Sequence, residues 1–103
     1  MPPAGQAVAT LPISFAGRGD RTTAEFRVHA GTRWQIRWSY SCPHSTRTGL
    51  LVVENARAGA VGASITEAGL AGRGETWLNA DGRRHRLIVI STCSWHMKVM
   101  QHR

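Results

Sequence analysis

The chain has one lysine, six acidic residues and two cysteines among its 103 residues, and no apolar run longer than four. Each shortage excludes something. A run such as Leu87 to Ile90 is far too short to cross a bilayer as a helix, which takes about 20 residues. The acids are scattered, no two are placed as an acid–base pair, and neither cysteine has an Asp or Glu nearby in sequence to orient a histidine. The residues therefore read as those of a protein that is not an enzyme, and nothing in their pattern asks for a cofactor. No helical period survives either, because glycines and β-branched residues interrupt every apolar spacing near 3.6.

What is present in excess is arginine. Thirteen basic residues face six acids for a net charge of +7, and every basic residue but Lys98 is arginine. With abundant alanine and glycine, part of that skew reads as a GC-rich coding sequence. The charge itself still biases encounters toward anionic partners, whether nucleic acid, acidic polymers or lipid headgroups.

Two stretches alternate with a period of two. Trp34, Ile36, Trp38, Tyr40 and Cys42 occupy one face of the first. Leu87, Val89, Ser91, Cys93, Trp95, Met97 and Val99 occupy one face of the second. Successive residues of a strand point to opposite sides, so each set is the inner face of a core strand. Both inner faces reach a cysteine, and a Cys42–Cys93 disulfide is the economical pairing. It would close a loop of about fifty residues, which the loop-entropy argument credits with about 4 kcal/mol. Such a bond persists in oxidising compartments, so the pairing predicts a secreted or cell-surface protein. Residues 1–10 have no basic residue and no apolar core, so they do not read as an export leader but as a flexible lead-in.

The remaining 11–103 read as one all-β domain. Leu11, Ile13 and Phe15 suggest a short edge strand, followed by a turn at Gly17-Arg18-Gly19-Asp20. Thr22 to Ala30 reads as one strand with Ala24, Phe26 and Val28 inward. Leu50 to Glu54, Val61 to Ile65 and Glu75 to Leu78 are short strands, with Gly69 to Gly74 a glycine-rich connection and Asn79 to Gly82 a turn. The last strand runs from His85 to about Met100, with a bend between Cys93 and Trp95. Seven or eight short strands at this spacing predict a single antiparallel β-sandwich, jelly-roll or immunoglobulin-like.

The combination of Gly17-x-Gly19-Asp20, Phe26-x-Val28, the Trp34 to Cys42 alternation, Gly82 and the Leu87 to Val99 alternation resembles a small exported β-sandwich domain of uncharacterised function. That family is found in lipoproteins and membrane-anchored proteins of high-GC Gram-positive bacteria. The resemblance spans about residues 14–100 and is carried by core and turn positions. It implies fold and export, and it brings no catalytic residue with it.

Several constellations compete for a function. Cys42, His44, Cys93 and His96 are a set that zinc accepts, though their spacings fit poorly and Cys93 and His96 fall on opposite faces of a regular strand. Arg18-Gly19-Asp20 is the tripeptide that integrins read, in a position that also suits a turn. Arg33 and Arg37 alternate with the tryptophans and face outward with Gln35. Arg84, Arg86, His96 and Lys98 share the outward parity of the last strand. If the two strands are neighbours, these residues make one basic stripe able to hold phosphates or carboxylates. Trp77 is the one tryptophan off the core parity, a candidate platform for a sugar ring or a partner's pocket. The expectation is a non-catalytic extracytoplasmic interaction module whose partner is another protein or a cell-envelope component. The alternatives are a basic module for anionic polymer or nucleic acid, and a Cys2His2 metal domain.

Overall fold

Alternating apolar residues bury one face of each long strand, and two such sheets close over each other. The structure is a computed structural model and describes residues 11–31, 33–43, 49–57 and 60–102. Its strands are β1 (Ile13–Arg18), β2 (Arg21–Thr22), β3 (Phe26–Arg27), β4 (Arg33–Ser41), β5 (Leu50–Arg57), β6 (Ala60–Ala68), β7 (Ala71–Asn79), β8 (Arg84–Ser91) and β9 (Ser94–His102). Among the described residues there is no helix. Sheet I has the order β2-β8-β5-β6, with β3 also paired to β8, and sheet II has the order β1-β9-β4-β7. All pairs are antiparallel, which makes the domain a β-sandwich.

The core lies between the sheets. Sheet I contributes Phe26, Leu51, Val53, Leu87 and Val89, and sheet II contributes Trp34, Ile36, Trp38, Tyr40, Met97 and Val99. The indoles are anchored as well as buried. Trp34 Nε1 donates to the Asn79 carbonyl at 3.2 Å, Trp38 Nε1 to Thr76 Oγ1 at 3.2 Å and Trp95 Nε1 to the Gly19 carbonyl at 3.0 Å. A buried polar residue joins them. His85 is only 2% exposed, lies against Phe26 and Trp34, and brackets its ring between Asn55 Oδ1 and Asp81 Oδ1, each at 2.9 Å.

Three segments differ from the sequence expectation. The last alternating stretch is two strands, β8 in sheet I and β9 in sheet II, with the chain changing sheets at Thr92–Cys93. The parity runs unbroken through this corner because the same side of the chain faces the core before and after it. Thr22 to Ala30 is also two strands. Thr22 pairs with Ile88 while Phe26 pairs with His85, so one extra residue is accommodated between them. Thr23 takes the inward position there, its Oγ1 accepting from the Leu87 N–H at 3.0 Å, and Ala24 is exposed. Third, Gly72 and Gly74 lie within β7 rather than in a connection. A Cβ at Gly74 would sit 2.6 Å from Trp38 Cζ2, and one at Gly72 2.9 Å from Tyr40 Cε1. The rings of the neighbouring strand fill the space a side chain would need.

Cys42, just past β4, and Cys93, in the corner between β8 and β9, form the expected disulfide across 51 positions of sequence. With both sulfurs bonded to each other, neither is a thiolate ligand, and His96 lies exposed on the outer face, away from Cys93. The Cys2His2 metal reading is thereby corrected; its fourth member, His44, lies outside the described residues, as does the lead-in 1–10.

Candidate functional site

Outward-facing residues of sheet II form a grid fixed by strand register. Arg37 of β4 is flanked by Lys98 of β9 and Glu75 of β7; Ser39 by His96 and Arg73; Ser41 by Ser94 and Ala71. β1 adds Ser14, Ala16 and Arg18 beyond β9. Strands stand about 4.8 Å apart and alternate residues repeat every 6.7 Å or so, so these side chains share one continuous surface.

The middle of that surface is low and its margin is high. Ser39 and Ser41 are short, whereas Arg37, Lys98 and Arg73 are long. The result is an open trough of about 560 Å³ lined by Arg37, Ser39, Arg73, Glu75, His96 and Lys98, with Trp38 and Gly74 between the rows. A shallower hollow of about 320 Å³ continues from it past Ser39 and His96 to Ser41 and Ser94. One cation of the margin is neutralised: Arg37 Nε lies 3.3 Å from Glu75 Oε1, both half exposed, a surface pair worth about 1 kcal/mol at most. Arg73, His96 and Lys98 make no hydrogen bond or ion pair among the described residues. At the far end Arg18 Nε donates to Ser94 Oγ at 3.2 Å.

One register above the trough, the Arg33 guanidinium stacks over the Trp77 ring, 4.8 Å from its centroid. Trp77 is 42% exposed and lies across from Gln35, which is 2% exposed although it points away from the core. Met100 flanks Gln35 on the other side. Trp77 thus presents surface to solvent beside a buried polar side chain.

The structure divides the basic stripe expected from parity. Arg33, Arg37 and Lys98 share the outer face of sheet II because β4 and β9 are neighbours. Arg84 and Arg86 are on β8, in sheet I, and therefore on the opposite side of the molecule. They stand there with Arg27, directly across from Arg84. The Arg18-Gly19-Asp20 tripeptide has structural work: besides the Arg18 bond, Asp20 Oδ1 accepts from the Ser91 N–H at 3.0 Å, and Gly19 takes a φ of 73°. Sequence reasoning missed Ser39, Arg73 and Glu75. Ser39 had the outward parity of Arg37, but Arg73 fell in a segment read as a loop, so nothing placed it beside Ser39. His85, the best-connected titratable group, is sealed in the core and touches neither hollow.

No family model matches the chain, and no curated protein matches it. Among solved structures, the CBM22-1 xylan-binding domain of Xyn10C from Paenibacillus barcinonensis superposes with a TM-score of 0.54, covering 93% of this chain and 89% of that one at 11% identity. At that identity the likeness shows the fold, a β-sandwich, and agrees with the architecture read from the sequence.

Proposed function

We propose that this domain is a non-catalytic extracytoplasmic binding module that holds an extended polymer chain in the trough on the outer face of sheet II. The observation that carries this reading is the relief of that face: serines along its centre, long polar side chains along its margin, and a second hollow continuing the first. A linear chain fits such a channel. A protein partner would need a flatter and wider contact to reach the area of a stable interface. The disulfide supports a place outside the cytoplasm, since such bonds persist where the surroundings are oxidising. The superposed domain is named as xylan-binding, so a glycan is a ligand that this kind of scaffold accommodates. Its sequence is too distant for any site to be carried over residue by residue.

The test is calorimetric titration against soluble linear polysaccharides, neutral and acidic, with wild type and Ser39→Trp. The indole would fill the trough without changing the charge. We expect wild type to bind at least one polymer and Ser39→Trp to lose tenfold or more in affinity while melting at the same temperature. Equal binding by the two proteins, or no binding by either, overturns the proposal.

A further inference from the structure

Which polymer the trough prefers follows from its charges, and the following rests on the reading of the trough as a binding site. We infer that its ligand is an acidic glycan, with an oxyanion group of the chain seated over Ser39 between Arg73, His96 and Lys98. Four groups of opposite or titratable character border the hollow beyond Arg37, and only Glu75 is acidic. Glu75 is committed to Arg37 at 3.3 Å. That leaves Arg73 and Lys98 as two positive charges with no partner among the described residues, on either side of a small hydroxyl. Arg73 lies across from Ser39 on one side and His96 on the other, with Lys98 one register along. A planar guanidinium grips a carboxylate, sulfate or phosphate through two parallel N–H donors, and an ammonium adds a point charge from the opposite wall. The Ser39 hydroxyl beneath can donate to the same oxyanion, and the imidazole of His96 can also meet a ring hydroxyl.

A glycan suits the site better than a nucleic acid. Single-stranded nucleic acids are held by aromatic rings on which bases stack. Here the trough's outward side chains are hydroxylic or charged apart from the single imidazole of His96, which gives no row of rings for successive bases, and the exposed Trp77 already carries the Arg33 guanidinium on its ring.

The experiment compares polygalacturonate, dextran sulfate, neutral xylan and single-stranded DNA as probes, at low and at physiological salt. It uses wild type, Arg73→Ala with Lys98→Ala, and Arg84→Ala with Arg86→Ala. The two double variants remove the same net charge from opposite faces. We expect wild type to bind an acidic glycan at least tenfold more tightly than xylan. The Arg73/Lys98 variant should lose tenfold or more, and the Arg84/Arg86 variant less than threefold. The carboxylated and sulfated probes tell which oxyanion is preferred, and preference for either supports the inference. Equal losses in the two variants would show a response to overall charge and overturn it. Tighter binding of DNA, lost with Arg73 and Lys98, would overturn it in favour of a nucleic-acid site. A wild type that prefers xylan overturns this inference and leaves the polymer-binding proposal standing, whereas binding to none of the probes removes both.

Discussion

On one outward face of the sandwich Arg37, Lys98 and Arg73 surround a serine; on the other, Arg27, Arg84 and Arg86 stand at the end of an aliphatic stripe. The stripe is made by Val52, directly across from Ile90, and by Ile88, which lies between Thr22 and Glu54. On this face of sheet I branched side chains on adjacent strands stand side by side, and Ile90 is still 37% exposed. Both faces are basic. They differ in what lies between the cations, short hydroxyls on sheet II and bulky methyls on sheet I. Charge of one sign brings an anion near either face. Only a depression between the charges lets several groups converge on it.

The largest way to break this contrast is to remove the frame that both faces share. Replacing Cys42 and Cys93 together with alanine should cost about 4 kcal/mol, seen in urea unfolding of the variant against wild type under non-reducing conditions. Unchanged stability would mean the core alone holds the sheets together. A smaller change strikes one face from behind. Gly74→Val puts a side chain where the Trp38 ring already lies, at 2.6 Å for the first carbon, and should destabilise by about 2 kcal/mol. Because Trp38 and Gly74 lie between the rows of the trough, the same variant should weaken polymer binding more than its folded fraction explains. The smallest effect belongs to the opposite face. Val52→Thr with Ile90→Thr keeps the β-branched shape and should change stability by less than about 1 kcal/mol while leaving trough binding untouched. A loss of binding there would show that the two faces are coupled through the core.

Much of the sandwich is legible in the sequence because parity is a local property. The inward sets around Trp34 and Leu87 need only a period of two, and His85 continues the second set. Its partners are another matter: Asn55 comes from β5 and Asp81 from the turn before β8, and no periodicity brings them together. A bend near Cys93 is legible, but that the chain changes sheets there is hidden, for the same reason that the inner face is plain. A chain that bends from one sheet to the next keeps its core side inward, so the pattern carries no mark of the change of sheet. That hidden corner is what sends Arg84 and Arg86 to the far side from Lys98. Gly72 and Gly74 mislead in the other direction. Glycine ordinarily weakens a strand, but here each lies beside an aromatic ring that occupies its missing volume. The trough needs three strands in register, β9, β4 and β7, and sequence reasoning had no means of aligning the third.

The disulfide also sets how far the domain can be drawn out. Of 103 residues, the 51-position span between Cys42 and Cys93 is closed into a ring. A tension applied at the two ends passes through the bond and never reaches the chain inside that ring. Fully stretched, the free chain would reach about 360 Å, and the stapled one roughly half of that. Strands β5 to β8 lie within the ring and bear no pull along their own backbone, even when β1 to β4 and β9 have been peeled away. About half the chain thus stays slack behind a single covalent tie.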